Sequence, residues 1–276
     1  MSELPNHGPL GESVEYLDQY APELLHPIAR KAGRDQLGLS GELPFAGVDI
    51  WNAWELSWLN AKGKPEVAIG EFRFPADSPN IVESKSFKLY LNSFNQTRMA
   101  SASALLATLK KDLSAACGAE LEIVLHRPGQ WPAEFAVAVD EGVCLDDLDI
   151  APSDYQPNAN LLNCEQEQAV SEQVYSHLLR SRCPVTGQPD WASIYISYSG
   201  SKIDHFGLLA YLISFRRQDD FHEQCVEQIF CDIQRQCAPE SLTVYARYLR
   251  RGGLDINPWR SSNVNMSAAN RRAARQ

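Results

Sequence analysis

No uninterrupted apolar run in this chain approaches the roughly 18 residues that a membrane-spanning helix needs. The opening Met1-Ser2-Glu3-Leu4-Pro5-Asn6 lacks the basic start and apolar centre of an export signal, so a soluble, non-exported chain is expected. Basic residues are scarce: 25 Lys and Arg stand against 35 Asp and Glu, giving a net charge of −10 and a pI near 5.1. Nucleic-acid binders usually carry a basic footprint, so no direct nucleic-acid partner is expected, and no membrane partner either. The densest basic segment, Asn270 to Gln276, reads as a solvated terminus. The seven cysteines, at 117, 144, 164, 183, 225, 231 and 237, contain no C-x-x-C, and the six histidines are scattered. That spacing supports neither a disulfide framework nor a zinc site, and it points to the reducing cytoplasm. No G-x-G-x-x-G and no P-loop is present, which removes the Rossmann and Walker routes to a nucleotide.

What remains is an ordinary globular composition: 276 residues, 44% hydrophobic and 9% aromatic, enough for two small domains. A faint repeat supports two. Tyr90-Leu91-Asn92-Ser93-Phe94 reads against Tyr211-Leu212-Ile213-Ser214-Phe215 at an offset of 121, and the same offset sets Leu121–Val124 against Leu242–Tyr245. Trp51–Trp58 resembles Trp191–Tyr198 at an offset of 140, which implies extra residues around Asn60 to Asn80 between the first half's two opening strands. We read two copies of a β-β-α-β-type unit. Ser193–Tyr198 alternates as a strand, and Leu208 to Phe215 is an apolar run of strand length. Phe221, Cys225, Ile229 and Ile233 recur every four residues, as on a helix lying against a sheet. The expected class is α+β, with antiparallel sheets and helices packed on one face. Residues 1–45 form an N-terminal extension, 46–155 a first unit and 156–276 a second, with the connector around Ala151 to Asn158.

Four segments have residues suited to chemistry. In Cys183-Pro184-Val185-Thr186-Gly187-Gln188-Pro189-Asp190, two prolines and a glycine stiffen a turn that holds Cys183 and Asp190 in place. Such a cysteine is a nucleophile if positive charge, here Arg180 and Arg182, lowers its pKa; Asp190 is a general acid if burial raises its own. A buried structural cysteine and a turn-capping aspartate explain the same residues. Val82-Glu83-Ser84-Lys85-Ser86-Phe87-Lys88 reads as the start of the strand ending at Phe94, with Ser84, Ser86 and Lys88 on one face. Glu83 would suit the N–H donors of a heterocycle and the lysines a phosphate, although a charged edge strand is the blander reading. Asp220-Phe221-His222-Glu223 resembles a capping box at the start of a helix. Arg250-Arg251-Gly252-Gly253 would let a phosphate approach backbone and guanidinium together, or is a plain turn.

Together the four segments resemble the QueF family of NADPH-dependent nitrile reductases. The Glu-Ser-Lys-Ser strand motif stands at Glu83–Ser86, the cysteine turn at Cys183–Asp190, Phe-His-Glu at 221–223 and Arg-Gly-Gly at 251–253. Their order fits the longer subfamily, in which tandem tunnelling-fold (T-fold) units share one chain. The resemblance implies reduction of 7-cyano-7-deazaguanine to 7-aminomethyl-7-deazaguanine, a step toward the tRNA base queuosine. It implies Cys183 as the nucleophile of a covalent thioimide and Asp190 as proton donor. Val82, Glu83, Ser84, His222 and Glu223 would contact the substrate; Ser84, Lys85, Arg251 and Gly252 would contact NADPH. No metal is implied, and a homodimer is. Two other readings suit the same fold: a GTP cyclohydrolase-like hydrolase, which would need zinc, and a non-catalytic module that binds a purine or pterin.

Overall fold

The computed structural model describes residues 16–276, apart from the side chains of residues 166 and 167. In chain order the strands are β1 (Pro27–Ala29), β2 (Ala46–Leu59), β3 (Pro65–Pro75), β4 (Asn80–Val82), β5 (Glu122–His126), β6 (Val143–Cys144), β7 (Cys164–Arg182), β8 (Pro189–Ile203), β9 (Ser241–Tyr248) and β10 (Leu254–Ser261). The helices are α1 (Lys31–Gln36), α2 (Ser84–Asn92), α3 (Ala102–Cys117), α4 (His205–Ser214) and α5 (His222–Cys237). The described residues fall into two compact units. One takes those up to Gly38, Asp49–Ala133 and Arg250–Asp255; the other takes Leu39–Val48, Glu134–Leu249 and Ile256–Gln276.

In the first unit the strand order is β5-β3-β2, with β3 and β5 antiparallel. Phe87 of α2 is fully buried, its ring 5.1 Å from Phe72 and 5.2 Å from Trp51 on the sheet. Burying such a side chain contributes about 1.5–3 kcal/mol. Leu105, Leu109 and Leu113, one helical turn apart along α3, are likewise buried. Ser101 caps that helix by accepting the Ala104 N–H, and Gly118 ends it at φ +75°. In the second unit the order is β10-β9-β8-β7-β6, antiparallel except for the short parallel β6–β7 pair. Ala192, Ile194 and Ile196 of β8 and Leu242, Val244 and Ala246 of β9 share one face and are buried with Cys225, Ile229 and Ile233 of α5.

The chain is therefore α+β with two repeated units in sequence, and the repeat is visible in detail. Tyr90 on α2 donates to Asp112 on α3 at 2.8 Å, and Tyr211 on α4 donates to Asp232 on α5 at 2.8 Å. Ser93 bonds the Tyr90 carbonyl as Ser214 bonds that of Tyr211, both at 2.6 Å. Burial, together with the neighbouring aspartate, pushes both tyrosines well above the ordinary phenol pKa.

Four expectations are corrected. The segment from Ser84 is helix α2, not a strand, and Leu208–Ser214 lies in helix α4. Each unit is thus β-β-α-α-β. In both, apolar groups recur at helical spacing (Phe87, Tyr90, Leu91, Phe94; Leu208, Tyr211, Leu212, Phe215) and lie buried on one side. The offset of 140 paired β2, the first strand of one unit, with β8, the second strand of the other, and Asn60 to Asn80 contains β3 rather than an insertion. The C-terminal segment is no solvated tail: Asn270, Ala273 and Gln276 are buried, and Gln276 Nε2 donates to the Tyr248 carbonyl and to Asn257. All seven cysteines are free thiols.

Candidate active site

The second unit brings Cys183, Asp190, His222 and Glu223 together through backbone geometry. β7 ends at Arg182 and β8 begins at Pro189, so Cys183 opens the connecting loop. Its N–H donates to the Gln188 carbonyl and its carbonyl accepts from Gly187, which sits at φ +64°, a conformation open to glycine. The end of β7 also binds the segment leading into α5. The Arg182 N–H donates to Gln218 O at 2.8 Å, and the Asp220 N–H donates to Arg182 O at 3.1 Å. Cys183 is thereby held beside the start of the helix that carries His222 and Glu223. Across the hairpin, Ser181 pairs with Asp190.

His222 joins the two sides. Its Nε2 lies 3.3 Å from Asp190 Oδ2, and its ring stacks on Tyr248 of β9 at 3.8 Å and 10°. Asp190 is 4% exposed, Glu223 3% and Cys183 7%. His222 Nδ1 is buried with no hydrogen-bond partner among the described residues, so one ring nitrogen is left with its hydrogen-bonding capacity unused. Beneath this layer burial raises the Cys225 thiol and the Tyr248 phenol well above their ordinary values. Both are therefore neutral near pH 7. Tyr248 carried no sequence signal, because its role depends on its neighbour across the fold.

The expected capping box at Asp220 is absent. The N-cap of α5 is Phe221, without a side-chain bond, and Asp220 instead accepts the Phe221 N–H at 2.9 Å. Burial, reinforced by Glu223 and Glu227, raises Asp220 to about 7. Arg180 and Arg182, expected as charge beside Cys183, use their guanidinium groups elsewhere: Arg180 on the Arg216 carbonyl, Arg182 on Asp219.

The first unit gathers the other motif residues. Val82 closes β4, and Glu83 is the N-cap of α2, its two oxygens accepting the Lys85 and Ser86 N–H groups at 2.7 Å each. The equivalent residue of the repeat, Asp204, caps α4 in the same way. A carboxylate has about four lone-pair sites, so Glu83 retains acceptor capacity after capping. Ser84 and Lys85 are half-buried on the first turn. The turn at 250–253 is closed by the Arg251 N–H to Leu254 O at 2.8 Å, with Gly252 at φ +59° and Gly253 at φ +77°. A Cβ on Gly252 would meet Lys88 Cδ at 3.3 Å, so this turn packs against α2 one helical turn beyond Ser84. An arginine, two lysines and a glycine backbone suit phosphate groups, so the residues present fit the phosphates of a dinucleotide.

Comparison with known proteins finds close relatives over nearly the whole chain. The family model for the N-terminal part of nitrile reductase, 7-cyano-7-deazaguanine reductase, matches residues 16–125, and a QueF-like protein model matches residues 189–267. The NADPH-dependent 7-cyano-7-deazaguanine reductase of Chromobacterium violaceum is 57% identical over 99% of this chain and 98% of its own. Those of Bordetella avium and Azoarcus sp. are 56% identical over 97% of this chain and 54% over 96%, covering 98% and 95% of their own lengths. A crystal structure of the archaeosine synthase QueF-Like in the apo form aligns at 16% identity, covering 35% of this chain and 95% of its own, with a TM-score of 0.31. With near-complete alignment to three reductases at 54–57% identity, the chain belongs to the QueF family of 7-cyano-7-deazaguanine reductases.

Proposed function

We propose that this chain reduces 7-cyano-7-deazaguanine to 7-aminomethyl-7-deazaguanine with two NADPH, through a thioimide on Cys183. The observation that carries the reading is the Asp190–His222 contact, which stands with Cys183 where the end of β7 meets the start of α5. A nitrile carbon is a poor hydride acceptor while its nitrogen must take up unprotected negative charge. Attack by the Cys183 thiolate forms the S–C bond, and the nitrogen takes a proton from Asp190, leaving a C=N that is far more readily reduced. Bound NADPH supplies hydride, once to that C=N and once to the imine released when the Cys183 sulfur departs. Departure regenerates the Cys183 thiolate, and a second proton, taken up with the second hydride, completes the amine. His222, fixed by Asp190 and Tyr248, orients the proton donor and faces the substrate.

Val82, Glu83, Ser84 and Glu223 complete the substrate contacts in this reading, the two glutamates accepting from the donor edge of the base. Such polar readout rejects analogues that lack those donors. Ser84, Lys85, Arg251 and Gly252 hold NADPH. The division of labour follows the repeat: an extension over 1–45, a Glu-Ser-Lys unit over 46–155 and a cysteine unit over 156–276. The reading includes a cytoplasmic homodimer that works on the free base rather than on tRNA, so the acidic surface carries no penalty. The test measures NADPH oxidation with the nitrile substrate, and intact mass without cofactor, for the wild type and Cys183→Ala. Two NADPH per amine, and an adduct only in the wild type, is the expected result. Substrate binding without oxidation or adduct would overturn the reading in favour of a binding module.

A further inference from the structure

Successive residues of β9 serve opposite faces of the second unit's sheet. Tyr248 points toward α5, as its stack on His222 shows, and Arg247 lies on the other side. There, a cavity of about 340 Å³ opens among Tyr195, Ser197, Tyr245, Arg247 and Trp259, bordered by the C-terminal segment. Its volume is within the range of small-molecule sites.

Arg247 gives the cavity its character. The residue is 2% exposed, yet no carboxylate forms an ion pair with it among the described residues. Its partners are neutral oxygens: Gln276 Oε1 at 2.9 Å from Nε, and Tyr245 Oη and Asn270 Oδ1 at 2.5 and 3.0 Å from Nη1. A buried guanidinium without a counter-charge is costly, and with Nε and Nη1 taken by neutral oxygens its Nη2 is the nitrogen left to donate to a carboxylate. The two carboxylates that border the cavity are engaged elsewhere. Asp140 accepts from Tyr195 Oη and lies 3.4 Å from His177 Nε2, while Glu141 pairs with Arg271 at 3.3 Å. Aromatic rings from three strands supply a flat apolar wall.

We propose that this cavity is a second binding site, for a small carboxylate with a flat apolar body. It lies on the sheet face opposite the Cys183 cluster and does not depend on the reductase reading. The test uses benzoate as probe and benzamide as its uncharged counterpart. Both are titrated by ligand-observed NMR into the full chain, with the Trp259 indole followed in the protein spectrum. Two variants are compared: Arg247→Gln removes the charge, and Ser197→Phe fills the cavity while leaving the arginine. Benzoate is expected to bind at least about tenfold more tightly than benzamide and to lose at least about tenfold in each variant. NADPH oxidation with the nitrile substrate should stay within about twofold in Ser197→Phe, since that side chain faces away from the helix side of the sheet. Equal binding of the two probes, benzoate affinity unchanged in Ser197→Phe, or no saturation by about 10 mM would each overturn the proposal. If Arg247→Gln does not fold, Ser197→Phe alone decides.

Discussion

Asp220 provides a direct measure of what burial costs beside the candidate site. Its carboxyl is raised from 3.8 to about 7, chiefly by burial, with Glu223 and Glu227 adding repulsion. The folded state therefore holds a proton that the unfolded state has already released. Stability contributed by that proton is fully present below pH 3.8 and is lost as pH rises toward 7. Integrating the linkage between the two values gives a loss of about 2.5 kcal/mol from pH 5 to pH 8, nearly all of it below pH 7. Asp220→Asn removes the titration while keeping an oxygen for the Phe221 N–H. Urea unfolding at several pH values across that range should show the wild type losing about 2.5 kcal/mol more than the variant. Ionisations common to both proteins cancel in the difference. Parallel stability profiles for the two proteins would refute the reasoning, since they would mean that Asp220 is ionised in the folded state throughout.

Three further outcomes are expected. Glu83→Ala removes two 2.7 Å bonds to N–H groups at the start of α2 and should cost about 2 kcal/mol in chemical denaturation; an unchanged midpoint would mean that the helix is capped by another group. Glu227→Ala takes away the carboxylate 2.9 Å from the fully buried Arg260 and should cost about 3–5 kcal/mol, whereas a loss below about 1 kcal/mol would place the pair outside the fold's essential core. Tyr248→Phe keeps the ring against His222 and should leave kcat within about threefold, while Tyr248→Leu should lower kcat by about tenfold or more with a smaller change in KM. Equal activity of the two variants would show that the stack does not position the imidazole.

The candidate site was legible wherever its residues lie close together in the chain. Cys183 to Asp190 and Phe221 to Glu223 are each contiguous, and turn chemistry at Pro184, Gly187 and Pro189 marks the first as a rigid loop. The misreading of α2 has a physical origin. Ser84, Ser86 and Lys88 alternate with Glu83, Lys85 and Phe87 as on a strand, but the apolar groups that pay for burial recur three and four residues apart. The fold follows the apolar period, because Phe87 and Tyr90 bury far more surface than the polar alternation organises. The capping box failed for a related reason. Asp220 and Glu223 have the right spacing, yet contact with β7 places Phe221 at the cap and buries Glu223.

The sequence by itself determined the class of fold, its duplication and the inventory of reactive groups, because periodicity, turn residues and an offset of 121 are local or repeated properties. Only the tertiary structure decided which groups meet. The stack of His222 on Tyr248, the contact of His222 with Asp190 and the neutral hydrogen-bond partners of Arg247 depend on strand register and on which face each side chain takes. Register is set by the packing of whole strands, and a shift of one residue would exchange Arg247 with Tyr248 across the sheet. Such side-chain meetings are long-range consequences of the core, and no stretch of neighbouring residues encodes them.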